Sequence, residues 1–126
     1  MFKINEDGSI FLTRGDIANI VVTATNSENE EHVFENGDVI RFLVFEKGAC
    51  NCVVVSKSVE VSEETKKVLI PLSGNETKIG VPINKPQDYW YEIELNPETN
   101  PQTIIGYDEN GAKILRLFPE GVASGE

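Results

Sequence analysis

The sequence contains one histidine, two cysteines, one tryptophan and one methionine in 126 residues. Each scarcity excludes something. The lone His32 has no partner at a ligand or base spacing, which argues against a zinc centre and against histidine-dependent acid–base catalysis. It sits in Glu-Asn-Glu-Glu-His-Val and reads as part of a polar loop entering a strand. Cys50 and Cys52 are too close in the chain for an unstrained disulfide, and they lack the C-x-x-C spacing of metal and thiol-redox sites. They read as two reduced thiols at the start of a strand. Basic residues are also few, 11 Lys and Arg against 21 Asp and Glu, for a net charge of -10. Such a surface repels phosphate backbones and anionic lipid, so neither nucleic acid nor a membrane is an expected partner. No apolar run approaches the ~20 residues of a membrane-spanning helix. The first residues, Met1 to Asp7, have no apolar stretch of the signal-peptide kind. The chain is therefore expected to be cytoplasmic when synthesised.

What is present reads in twos. Ile17 to Thr25 alternates, with Ile20, Val22 and Ala24 facing inward and Asn19 and Thr23 outward. Val39 to Phe45 is almost wholly apolar, as in a central strand covered on both faces, with Ile40, Phe42 and Val44 toward the core and Arg41 on the other side. Cys52 to Val61 places Val53, Val55, Val59 and Val61 on one parity. Lys67 to Leu72, Thr103 to Tyr107 and Lys113 to Phe118 are shorter strands. Tyr89 to Leu95 sets Tyr89, Tyr91, Ile93 and Leu95 against Trp90, Glu92 and Glu94. The pattern predicts a core of Ile20, Val22, Ile40, Phe42, Val44, Val53, Val55, Ile93, Leu95, Ile105 and Leu117.

Turn residues separate these runs. Asn110-Gly111 predicts a tight hairpin turn, because a type I′ turn needs positive φ at both central residues. Ser73 and Glu76 have capping-box spacing, so Asn75 to Ile79 is read as one short helical turn. The prolines fall at strand ends or in loops. The expected fold is all-β, a β-sandwich of immunoglobulin-like layout with about seven to eight strands and one short helical turn. Residues 1–120 are expected to form a single domain and 121–126 a flexible tail.

Several groups of residues invite a chemical reading. Glu92 and Glu94 beside Trp90 resemble the carboxylate pair of a glycosidase, but such enzymes also need a cleft with acid and base on either side of the bond. A solvated acidic sheet face accounts for the pair more simply. The loop 26–38 carries Glu28, Glu30, Glu31, Glu35 and Asp38, enough oxygen for calcium, without the EF-hand ligand order. Arg14-Gly15-Asp16 spells an integrin-binding tripeptide, yet it reads better as a turn. No nucleophile is paired with a base, so no catalytic residue, cofactor or metal is assigned.

Two stretches carry a family resemblance. One is Thr13-Arg14-Gly15-Asp16 before an apolar strand, then Glu35-Asn36-Gly37-Asp38-Val39-Ile40-Arg41-Phe42. The other is Tyr89-Trp90-Tyr91-Glu92-Ile93-Glu94-Leu95, then Gln102-Thr103-Ile104-Ile105-Gly106-Tyr107. Over residues 10–120 the chain resembles small prophage tail-associated proteins and is similar in layout to the N-terminal domain of phage baseplate upper proteins. The resemblance implies a structural subunit of a tail or baseplate, located in the virion tail once assembled. Its partners would be other tail or baseplate proteins, or copies of itself. Candidate interface residues are Trp90, Glu92 and Glu94. A carbohydrate-binding module stacking sugars on Trp90, Tyr89 and Tyr91 is the alternative.

Overall fold

A computed structural model describes residues 1–25, 30–47, 52–80, 83–99, 101–106 and 111–120. Nine strands form among them: β1 (Phe2–Ile4), β2 (Ile10–Thr13), β3 (Ala18–Val22), β4 (Val39–Glu46), β5 (Val53–Glu60), β6 (Val68–Leu72), β7 (Gln87–Leu95), β8 (Gln102–Ile105) and β9 (Lys113–Phe118). Seven of them make one sheet in the order β1-β2-β9-β7-β4-β5, with β8 on the second half of β7. The other two, β3 and β6, pair as a small second sheet. All pairings are antiparallel except β2 with β9. The run β9-β7-β4-β5 reproduces the G-F-C-C′ order of an immunoglobulin-type sandwich, and β3-β6 its B-E pair.

One apolar core lies between the sheets. β4 contributes Ile40, Phe42 and Val44, each fully buried, and β7 contributes Tyr91, Ile93 and Leu95. Ile20, Val22, Val68, Ile70 and Leu72 close it from the small sheet, and Ile10, Leu12, Leu115 and Leu117 extend it toward β2 and β9. The alternation read from the sequence therefore names the inner faces of β3, β4 and β7 correctly, while Val55 and Ile105 are only half-buried against the core.

Val53 is the exception, at 48% exposure. The β4–β5 register shifts between Val44 and Phe45, so that Val44 faces Val55 but Phe45 faces Val53. The extra residue, Val54, is a β-bulge, and a bulge reverses the parity of everything beyond it. β1 and β2 were not expected as strands. Each is only three or four residues long, and β2 is held by parallel pairing to β9 at the far end of the chain. Phe34, expected in a polar loop, is fully buried, and its backbone bridges to Thr65.

The segment after β6 makes a single helix-like turn and no helix. Ser73 Oγ accepts the Glu76 N–H (3.3 Å), and Glu76 Oε1 accepts the Ser73 N–H (2.8 Å), the reciprocal bonds of a capping box. Gly74 sits against the Gly15 carbonyl, where an added Cβ would lie 2.7 Å from that oxygen. This contact docks the turn onto Arg14-Gly15-Asp16. Gly111 has the positive φ expected of it (+99°), but the expected hairpin is not formed: β8 and β9 do not pair with each other, because they lie end to end along the same edge of β7, opposite 93–95 and 87–91, and Asn110 lies outside the described residues. Cys50, loop residues 26–29, Tyr107 and the tail 121–126 lie outside them as well, and with them the expectations placed there. Cys52 precedes β5 and is exposed. Among the described residues no helix is long and apolar enough to cross a membrane.

Candidate functional site: the outer face of the large sheet

Trp90, Glu92 and Glu94 alternate with the buried side chains of β7, so all three stand on the outer face of the large sheet. Lateral register decides what surrounds them. Trp90 lies opposite Ile114 on β9 and Phe45 on β4, and Phe45 lies opposite Val53 on β5. An apolar row, Ile114–Trp90–Phe45–Val53, therefore crosses four adjacent strands on the outside of the sandwich. Phe45 is only 6% exposed although it points away from the core. Cross-strand apolar pairs of this kind stabilise a sheet by a few tenths to about 1 kcal/mol each.

Ion pairs bound the row on both sides. Toward one end of the strands, Arg41 and Glu94 are register partners on β4 and β7, and the guanidinium donates to Glu94 Oε1 from Nε (3.0 Å) and Nη2 (2.8 Å). Toward the other end, Arg116 and Asp88 are partners on β9 and β7, joined by Nε to Oδ1 (2.7 Å) and Nη2 to Oδ2 (3.2 Å). The Arg116 guanidinium also lies 5.8 Å from the Phe11 ring centroid, and Phe11 meets Phe118 edge-on. A hollow of about 580 Å³ lies at the Asp88–Arg116 end. One of about 400 Å³ lies at the Arg41 end, beside Ser58 and Asn96.

The carboxylates of β7 have different surroundings. Hydrogen bonds from Arg116 hold the Asp88 carboxyl below the ordinary aspartate range, against the opposing effect of partial burial. Burial pushes Glu92 above the ordinary glutamate range, and the Glu94 charge pushes it the same way, while Arg41 pulls it back. A carboxyl whose folded pKa is raised penalises the fold while ionised. Glu92→Gln is therefore expected to stabilise the protein at neutral pH. The advantage should shrink as pH falls through the raised pKa and vanish below the ordinary glutamate range. Urea midpoints of both proteins at pH 7 and pH 4 check this; a variant less stable than wild type at pH 7 would contradict it.

The three aromatics of the Tyr-Trp-Tyr stretch do not share a face. Tyr91 is 3% exposed, its hydroxyl donates to the Gly8 carbonyl, and burial pushes its pKa up to about 12. Tyr89 packs half-buried against the core. Of the rings named for sugar stacking, only Trp90 is on the outer face. Glu92 and Glu94 share that face, but it is a sheet surface, and neither carboxylate lines the two hollows.

Other sequence candidates resolve into structure. Arg14 is 8% exposed and donates to the Ile79 and Gly80 carbonyls and to Glu120, so it is not displayed as an integrin ligand would require. Asp38, at the end of the acidic loop, accepts from the Glu35 N–H and the Asn96 side chain. Among the described residues no group of three or more His, Cys, Asp or Glu side chains is placed to hold a metal. The sequence does not mark Phe45, Ile114 and Val53 as surface-site residues, because the row they form with Trp90 exists only through strand register. Fold and site together define the class: an immunoglobulin-like β-sandwich with an amphipathic outer sheet face. Comparisons with protein-family models, with curated proteins and with solved structures found no match.

Proposed function

We propose that the protein is a structural subunit of a phage or prophage tail or baseplate, and that it acts by docking rather than by catalysis. The observation that carries the docking reading is the row Ile114–Trp90–Phe45–Val53, bounded on both sides by ion pairs. Aromatic and aliphatic anchors inside a charged rim are the composition of a protein–protein interface. Both flanking arginines are neutralised within the chain, by Glu94 and Asp88. The assignment to a tail is supported by the resemblance of residues 10–120 to prophage tail-associated proteins. On this reading the chain is made in the cytoplasm and ends in the virion tail, with other tail proteins or its own copies as partners.

Trp90 is the expected anchor, since truncated interface tryptophans commonly cost about 2 kcal/mol or more, roughly a thirtyfold loss of affinity. Trp90→Ala is expected to keep its β-sheet circular dichroism while losing association by that factor. Sedimentation velocity measures self-association, and titration with purified tail components measures docking. A folded variant with wild-type affinity removes Trp90 from the interface. A wild-type chain that stays monomeric at high concentration and binds no tail component ends the docking reading.

A further inference from the structure

Among the described residues, one side of the sandwich carries no further strand. Among the described strands, β3 pairs only with β6, and β8 only with β7. In an immunoglobulin-type sandwich the first strand lies beside the second, which corresponds here to β3. In this chain β1 and β2 are instead attached to β9 on the large sheet. Between the end of β3 and β8 lies a groove of about 700 Å³, lined among others by Ala24, His32, Leu95, Thr103, Ile104 and Ile105. None of its described lining residues belongs to the Ile114–Trp90–Phe45–Val53 row.

Three features of the groove point to the same kind of ligand. First, β8 is an edge strand along it, and the unpaired backbone groups of an edge are satisfied by another strand. Second, among the described residues the lining contains no charged side chain, and Ala24, Leu95, Ile104 and Ile105 offer apolar contact for small or β-branched side chains. Third, His32 Nε2 is shielded from solvent and has no hydrogen-bond partner, while its ring meets Phe34 edge-on at 5.0 Å. His32 is itself one of the residues lining the groove. The exposed Glu31 bridges by its backbone to Thr25 of the lining, and the whole chain is anionic. Basic residues flanking an uncharged segment complement it.

We propose that this groove is a strand-acceptor site. An extended, uncharged segment of another protein chain, about as long as the four residues of β8, pairs with the open β8 edge and hydrogen-bonds to His32. Lysine or arginine flanks it on either side.

The test is a titration of the full-length ¹⁵N-labelled protein with acetyl-Lys-Thr-Val-Thr-Val-Thr-Lys-amide, up to concentrations of a few mM, against a control peptide with proline at the central threonine. Strand pairing predicts saturable shifts and slowed amide exchange at Gln102 to Ile105, a shift at the His32 ring, and no binding by the proline peptide. His32→Phe should weaken binding by roughly threefold to tenfold, the worth of one net hydrogen bond. Absence of saturable shifts at β8, equal binding of the proline peptide, or unchanged affinity in His32→Phe would each overturn the proposal.

Discussion

Phe42→Ala is expected to destabilise the protein by about 3–5 kcal/mol, because the ring is fully buried on an interior strand of the larger sheet. β4 is paired on both sides, with Ile93 on β7 and Lys57 on β5 opposite Phe42. The ring also packs on Tyr91, at a centroid distance of 5.8 Å. Neither neighbour can close the space it leaves, since Tyr91 is pinned by its hydroxyl bond to Gly8 and Ile93 by the ladder. A domain of this size has ~5–15 kcal/mol of total stability. The loss therefore amounts to a large fraction of it, and the melting temperature should fall by roughly 10–25 °C. Urea denaturation with a two-state fit is the check. A measured loss below 1 kcal/mol would remove Phe42 from the core and call the sandwich itself into question.

The second large effect belongs to Arg14. Its guanidinium donates to the Ile79 carbonyl (3.2 Å), the Gly80 carbonyl (2.8 Å) and Glu120 Oε1 (2.7 Å). These bonds tie the end of β2 to the turn after β6 and to the segment after β9, three parts of the chain far apart in sequence. Arg14→Met keeps much of the apolar stem but leaves two backbone carbonyls and a carboxylate without their donor. The expected cost is about 2–4 kcal/mol, most of it the penalty of unmet polar groups rather than lost packing. Arg14→Lys should recover only part of it, because an ammonium cannot present the planar fork that reaches three acceptors at once. Glu120→Gln should cost less than either, since Glu120 is 44% exposed and its partner keeps the two carbonyls. Equal stability of Arg14→Met and wild type would show that the three segments are held together by other contacts.

Arg14 also shows where sequence reading stops. In the chain it stands in a tripeptide with a surface-recognition meaning, and nothing local separates an exposed arginine from one whose acceptors lie 65 and 66 residues away. The same holds for the outer face. That Trp90, Glu92 and Glu94 share a side of β7 follows from period-two alternation, and that much was legible. That Trp90 continues into Phe45, Val53 and Ile114 was not, because lateral neighbours depend on which strands pair and in what register. Alternation counted through Val54 places Val53 inward, and a bulge leaves no mark in a run of valines. β1 and β2 are not marked in the sequence for a related reason: such short strands have weak periodicity of their own, and here a parallel pairing with residues about a hundred positions later holds β2 in place.

What the sequence determined by itself was local. Alternation of apolar and polar residues set the strand type and the inward faces of β3, β4 and β7, because side chains of a strand point to opposite sides by covalent geometry alone. The Ser73–Glu76 spacing set the one helix-like turn, because its capping bonds close within three residues. Tertiary structure decided everything that requires two distant segments: the order of strands in the large sheet, the apolar row across its outside, the burial of Arg14, and the groove between β3 and β8. These depend on long-range pairing and register, which no short window of residues encodes.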